Sequence, residues 1–342
     1  MSARIKGSTR SGAFEAIGNT PLVSLSHFCE RQDIEPWAKL ESFNPGGSSK
    51  DRSAARMIED ALEAGLIRTG STVIESTSGN LGVGLALACL AHDLHLICVV
   101  DSRADETKLR KIRELGAEVE VVSEPDPATG DLLVARLALV ERLVAETPGA
   151  WRPDQYSNSS NPAAHRQTMA EIDDALDERV DWLFVATSTA GTLRGCCDYL
   201  IEQRRETKVV AVDALGSVLF GGTRSSRRLP GLGAGVATEL SRHAWFDRLV
   251  RVSELECVVG CRRLMAREGI FAGASSGGVA MALESLAPTM AAGARCAMIF
   301  PDGGEGYLST VYDDDWVKRE LGVTTSELNH MTGLEHGAAP TG

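Results

Sequence analysis

The sequence predicts a doubly wound α/β fold. Strand-like and helix-like stretches alternate through most of its 342 residues, the pattern of parallel sheets covered by helices on both faces. Hydrophobic residues make up 43% and charged residues 24% of the chain, enough apolar material for two ordinary cores at about 150 residues per domain. Loops rich in glycine and hydroxyls stand directly between strands and helices, where parallel sheets place their ligands.

In chain order, residues 54–66 carry Met57, Ile58, Ala61 and Leu62 on one helical stripe that stops at Gly65. Residues 72–75 read as a short strand, 81–90 as a helix apolar nearly all round and therefore buried, and 96–100 as a strand. A helix over 106–115 ends at Gly116, and a strand follows at 119–122. The alternation resumes with a strand at 182–186, a helix after Thr192 and a strand at 209–212. Ser253 and Glu256 have capping-box spacing at a helix over 255–267, and 297–300 is a further strand. Residues 125–130 and 148–161 are candidate loops, and the tail after Met331 reads as disordered.

The formal net charge is −12, from 35 basic and 47 acidic residues, and the basic ones are dispersed. That argues against a nucleic-acid or anionic-membrane surface, but allows an anionic small molecule held by a few local donors. No apolar run reaches the about 18 residues of a membrane span, and residues 1–18 lack the apolar core of a secretory signal. A cytoplasmic protein is expected. The eight cysteines are scattered without a CxxC pair, as reduced, packed thiols rather than zinc ligands. His92 and His95 form HxxH without the glutamate of a metalloprotease helix, so no metal is expected.

The chemistry gathers in four loops. Asn44-Pro45-Gly46-Gly47-Ser48-Ser49-Lys50-Asp51-Arg52 leads into a helix without P-loop spacing. A helix dipole disfavours a cation at its start, so the free amine of Lys50 is easier to keep, as Schiff-base chemistry requires. Glu75-Ser76-Thr77-Ser78-Gly79-Asn80 makes a nest for carboxylate or phosphate, whereas an ordinary N-cap would explain one hydroxyl only. Thr187-Ser188-Thr189-Ala190-Gly191-Thr192 is a second anion cradle, and residues 272–278 form a fourth, weaker Gly/Ser loop. Gly231-Leu232-Gly233-Ala234-Gly235 lacks dinucleotide-binding spacing. His165 and Arg166 are expected at solvent, and Cys196-Cys197 as packing.

Six ordered motifs carry a family resemblance: AIGNTPL (16–22), AKLESFNPGGSSKDR (38–52), ESTSGN (75–80), LPGLGAG (229–235), EGIFAGASSGG (268–278) and PDGGEGYLST (301–310). From about residue 14 to 320 the chain resembles the fold-type II pyridoxal-phosphate enzymes, the group of cysteine synthase and the tryptophan synthase β-subunit. The resemblance implies pyridoxal 5′-phosphate (PLP) as cofactor, a homodimer, and two doubly wound domains with the active site between them. The larger, cofactor-anchoring domain would take residues 12–50 and 151–330, and the smaller, mobile one 51–150, with flexible tails at 1–11 and 331–342. Lys50 would carry the cofactor as a Schiff base and move the substrate's Cα proton, and Asn80 would bond the cofactor's 3′-oxygen. Ser188, Thr189, Ala190, Gly191 and Thr192 would cradle its phosphate. Ser76, Thr77, Ser78 and Gly79 would hold the amino-acid carboxylate. Ser275 would face the pyridine nitrogen, where a neutral hydroxyl does not force ring protonation and so favours β-elimination over transamination.

Three departures from common cysteine synthases narrow the resemblance. Leu81 follows Asn80 where a hydroxyl is usual, Ser188-Thr189-Ala190-Gly191-Thr192 stands for GTGGT, and Ser76 replaces a proline. With residues 98–120, 154–158 and 209–221 they resemble the N-(2-amino-2-carboxyethyl)-L-glutamate synthases, which begin 2,3-diaminopropionate formation for staphyloferrin B-type siderophores and some peptide antibiotics. The implied reaction is a β-replacement. O-phospho-L-serine loses its Cα proton and phosphate, and the amine of L-glutamate adds to Cβ of the resulting α-aminoacrylate. Arg136, Tyr156 and Ser188 are the candidate donors to the departing phosphate. For Arg136 the plain alternative is a solvated helix face, and for Tyr156 a place in the core. Two other readings stay open: a cysteine synthase using O-acetylserine or O-phosphoserine with sulfide, and a non-catalytic regulatory protein on the same fold.

Overall fold

The computed structural model describes residues 12–102, 104–130 and 132–333. The chain opens with β1 (Leu22–Ser24) and β2 (Glu35–Leu40), and the lysine loop then enters α1 (Lys50–Glu63). Next come β3 (Thr72–Ser76), α2 (Asn80–Ala91), β4 (His95–Asp101), α3 (Glu106–Glu114), β5 (Glu118–Val122) and α4 (Leu132–Glu146). The remainder runs α5 (Ser160–Ala175), β6 (Trp182–Ala186), α6 (Gly191–Glu202), β7 (Lys208–Ala214), α7 (Glu239–Arg242), β8 (Arg248–Val252), α8 (Glu254–Glu268), α9 (Ala274–Leu286), β9 (Arg295–Phe300), α10 (Asp314–Leu321) and α11 (Thr325–Thr332).

These strands form two sheets. One is β3-β4-β5, all parallel; the other is ordered β1-β2-β9-β6-β7-β8 and parallel except at the β1–β2 edge. The doubly wound α/β class is therefore the observed one. β6, β7 and β9 read as continuous apolar runs because helices cover both faces of their sheet. Alternation along β6 still decides which side each residue serves. Phe184 packs with Leu264, Val279 and Leu283 of α8 and α9, while Leu183 and Val185 pack with Met169, Ile172, Leu193 and Leu200 of α5 and α6. In the smaller sheet, Leu96, Cys98 and Val100 face Ile58, Leu85 and Ile112 of α1, α2 and α3, and Ile74 and Val99 meet Val140 of α4. Trp151 extends this sheet beside β3, its N–H donating to Thr72 O and its carbonyl accepting from Ile74 N, both at 2.9 Å.

Helix α2 is buried as its all-round apolar sequence predicts. Gly84 is what lets it close on α1, since a Cβ there would lie 2.9 Å from the Lys50 carbonyl oxygen. Helix α1 starts at Lys50, earlier than the apolar stripe beginning near residue 54 indicated. Its polar opening turn is held instead by buried ions. Arg52 bonds Glu41 through Nε and Glu171 through a terminal nitrogen, each at 2.7 Å, and Lys39 pairs with Glu171 at 2.6 Å. Against the cost of burial, the hydrogen bonds from Arg52 and Lys39 hold the Glu171 carboxyl down at about 2. Asn44 donates through Nδ2 to Glu41 and accepts from Gly18 N at 2.8 Å. The network ties β2, the lysine loop, α1 and α5 together, so the loop arrives at the site already fixed. Among the described residues no helix is long and apolar enough to cross a membrane.

Candidate active site

The chain leaving β2, β3, β6 and β9 at their carboxyl ends lines one cavity of about 260 Å³. Lys50 stands in its wall as the first residue of α1. Burial pushes the Lys50 amine below its usual range, outweighing the opposing pull of Asp302 and Glu41. The helix dipole acts in the same direction as burial.

Three further helices begin at this cavity, and no side chain caps α2, α6 or α9. Gly191 N reaches Thr189 Oγ1 at 3.3 Å, and Gly82 N and Ser276 N bond back to Gly79 O and Gly273 O. The N–H groups of the first two residues of α2 and α9 and that of Thr192 are thus the ones aimed at an anionic group. Ser76, Thr77, Ser78, Gly79 and Asn80 all line the cavity ahead of or at the start of α2. The Ser76 hydroxyl is buried there without a partner. Asn80 Nδ2 donates to Asp302 Oδ2 at 2.8 Å, and the Tyr307 hydroxyl donates to the same oxygen at 3.1 Å.

In the second cradle, Ser188 and Thr189 line the cavity, whereas Ala190, Gly191 and Thr192 stand behind them and open α6. Ala190 takes a left-handed φ of +68°, the position where the resembled loops carry glycine. The Thr192 hydroxyl lies 3.2 Å from His165 Nε2, and His165 Nδ1 lies 3.2 Å from the Thr168 hydroxyl. His165 was expected at solvent and is instead fully buried, because it fills the α5–α6 contact with both ring nitrogens engaged. Burial drives its pKa well below the usual value, and the nearby Lys50 and Arg52 act the same way. Arg166 is half-exposed and pairs with Glu202. Cys196 and Cys197 are packed, and all eight cysteines are free and buried.

Ser275 lies in the first turn of α9, buried, at the cavity wall. A Cβ on Gly231 would lie 3.9 Å from its hydroxyl and 3.2 Å from that of Tyr307. The glycine-rich segment without dinucleotide spacing thus has another use. It passes over the site, with Gly233 N donating to Thr187 O at 2.6 Å and the Thr238 hydroxyl to Thr189 O at 2.9 Å.

Arg136 and Tyr156 both reach the cavity. Arg136, on α4, is mostly buried, with Nε 3.5 Å from Asp101 Oδ2. Burial raises the Tyr156 hydroxyl's pKa, with Glu75 adding to the effect. Sequence reasoning missed Lys108, Asp302 and Tyr307, which share this wall. Asp302 and Tyr307 lie inside the PDGGEGYLST motif, which was available as their signal. Lys108 sits in the first turn of an ordinary amphipathic helix, where only its place beyond the end of β4 could have marked it.

The residues present fit PLP. Three helix starts without side-chain caps can take phosphate and carboxylate, the Asn80 amide has a hydrogen to spare beside the Asp302 bond, and burial lowers the pKa of Lys50. Fold and site together define a fold-type II PLP site. Residues 13–302 match the family described as "Pyridoxal-phosphate dependent enzyme", and the chain belongs to that family. It is 42% identical over 306 residues to an N-(2-amino-2-carboxyethyl)-L-glutamate synthase of Ralstonia nicotianae, covering 89% of this chain and 90% of the relative. Among solved structures it is similar to O-ureido-L-serine synthase, with a TM-score of 0.81 and 31% identity over 97% of this chain and 98% of that one. A cysteine synthase of Entamoeba histolytica gives a TM-score of 0.85 and 28% identity over 98% of this chain and 99% of that one.

Proposed function

We propose that the protein catalyses a β-replacement on O-phospho-L-serine, with L-glutamate as the amine nucleophile, giving N-(2-amino-2-carboxyethyl)-L-glutamate and phosphate. The observation that carries this reading is the presence of Arg136, Tyr156 and Ser188 in one cavity with Lys50 and the 76–80 nest. The named synthase at 42% identity supports the same choice of nucleophile.

When bound, PLP supplies an electron sink for the charge left at Cα. Lys50 Nζ would hold the cofactor and, as a free amine beside Cα, would accept the Cα proton and later return it. Burial lowers its pKa and makes the free amine that this task needs easier to reach. The start of α2, with Thr77, Ser78 and Gly79, holds the substrate carboxylate and so orients Cα toward Lys50. Arg136, Tyr156 and Ser188 donate to the phosphate, and their bonds strengthen as its charge grows on departure. The reading includes a cytoplasmic homodimer serving 2,3-diaminopropionate formation for a siderophore or a peptide antibiotic, with residues 51–150 as the smaller, moving unit.

The test is a cofactor absorbance titration of the holoenzyme with O-phospho-L-serine and separately O-acetyl-L-serine, followed by L-glutamate or sulfide and mass analysis of the products. The spectral change with phosphoserine, reversed by glutamate with formation of the conjugate, is expected. Preference for acetylserine with discharge by sulfide alone would make the protein a cysteine synthase.

A further inference from the structure

A second cavity, of about 330 Å³, adjoins the first, and the two share Asn80, Lys108, Asp302 and Tyr307. Arg136, Tyr156 and Ser188 do not line this second space; Thr107, Lys108 and Lys111 of α3 do. Lys108 stands at the junction. Its ammonium lies 5.7 Å from the centre of the Tyr307 ring, and no carboxylate lies within ion-pair distance of it among the described residues. Gly306 makes room for it, since a Cβ there would come within 3.1 Å of Lys108 Cε. Lys111, one turn further along α3, donates to Gly46 O at 2.8 Å and keeps two further donor hydrogens.

The charges are ordered along this space. Asp302 borders both cavities, its Oδ2 held by Asn80 and Tyr307 and its Oδ1 turned against Gly273, while the two lysines lie along α3. Glu305 also borders the second cavity, so the lysines are its cationic part and not its whole lining. We infer that this second cavity is the subsite of the amine nucleophile, and that Lys108, assisted by Lys111, binds the carboxylates of a dicarboxylic amino acid. Its ammonium end then points inward past Asp302 toward the first cavity, and the phosphate donors on the other wall stay free for the leaving group. The inference rests on the proposed β-replacement and adds the residues that select its second substrate.

The test compares wild-type holoenzyme with Lys108→Met, Lys108→Arg and Lys111→Met. Loss of a charge-assisted contact predicts that Lys108→Met raises the KM for L-glutamate by about tenfold or more. The KM for O-phospho-L-serine and the spectral change it causes stay as in the wild type. Lys108→Arg recovers part of the loss, and Lys111→Met shows a smaller one. Glutarate, a dicarboxylate without the amine, inhibits the wild type competitively against glutamate and loses that effect in Lys108→Met. A rise in the phosphoserine KM instead, or an unchanged glutamate KM, overturns the assignment. If the wild type makes no glutamate conjugate, the proposed reaction fails, and calorimetric binding of glutarate to the holoenzyme then judges the subsite alone. Binding lost in Lys108→Met upholds the subsite, and no wild-type binding overturns it.

Discussion

Asn80 Nδ2 donates to Asp302 Oδ2 at 2.8 Å, joining the start of α2 to the chain just past β9 across 222 positions. A carboxylate only accepts, so this bond fixes which way the Asn80 amide faces and leaves one N–H for a cofactor oxygen. Burial raises the Asp302 pKa, and Lys108, Asn80, Tyr307 and Lys50 pull against it. In Asp302→Asn the new side chain can present either an oxygen or an amide, so the orientation of Asn80 is no longer enforced. PLP affinity is expected to fall by about tenfold, the worth of one such bond. An absorbance titration of the cofactor measures this, and unchanged affinity would return Asp302 to a packing role.

Arg136 and Tyr156 are placed so that their loss should separate substrate use from cofactor binding. Arg136 is mostly shielded from solvent, and its Nε has no hydrogen-bond partner, so the guanidinium has donors to offer. A hydrogen bond to a charged group is worth about 1.5–3 kcal/mol, or roughly 10–150-fold. Arg136→Ala should raise the KM for O-phospho-L-serine by that order while PLP titrates normally. Tyr156→Phe should show a smaller effect in the same direction. Steady-state kinetics at saturating PLP measures both, and a wild-type KM in Arg136→Ala would leave that residue as a partner of Asp101 only.

Ala190 holds a left-handed conformation at the start of α6, and its methyl group is buried against Leu219 and Leu240. The conformation costs a non-glycine residue roughly 1–2 kcal/mol, while burying one carbon contributes about 0.8 kcal/mol in return. These nearly cancel, so Ala190→Gly should shift the melting temperature little, by under about 4 °C. Ala190→Val carries a branched Cβ into the same φ and should melt clearly lower and hold PLP less well. Scanning calorimetry of the two holoenzymes distinguishes them, and an equally tolerated valine would mean that the loop relaxes.

The strands of both sheets that lie between covering helices were readable because burial on two faces leaves an uninterrupted apolar signal. β3, β4, β6 and β9 fall where the sequence placed them, within one or two residues. β2 was not readable. It contains Pro36 and Lys39, which argue against a central strand, and Lys39 is tolerated only because Glu171, distant in sequence, neutralises it. His165 misled for a similar reason: Thr168 is three residues along its own helix, but Thr192 and the packing that buries the ring come from α6, which meets α5 only in the fold. Lys50 and the hydroxyl nests, which the fold brings to one cavity, could be picked out because each is a local pattern of consecutive residues at a helix start. Lys108 and Asp302 reach the cavity wall from other elements, and no spacing in the sequence brings them together.

Glu75, near the end of β3, offers a pH test of the fold around the 76–80 nest. Its Oε1 accepts from Ser76 N at 2.8 Å and lies 3.8 Å from Arg152 Nε, while Oε2 is buried without a partner. Burial raises its pKa to about 7, against the smaller opposing effects of Arg152 and the Ser76 N–H. The native protein therefore keeps a proton that the unfolded chain releases near about pH 4.3. Between those values the native state binds more protons, so the stability linked to Glu75 is fully present below the unfolded value and is lost as pH rises through about 7. Asp51, whose pKa burial likewise raises to about 7, slopes the same way, so the Glu75 share must be read as a difference between proteins. Glu75→Gln keeps the shape and the acceptor oxygen but cannot ionise. Relative to that variant, the wild type should lose up to about 3 kcal/mol of stability between about pH 5 and about pH 8. Urea unfolding of the two holoenzymes at both pH values measures the gap, and a gap that does not change with pH would mean that Glu75 is already ionised in the folded protein at the lower one.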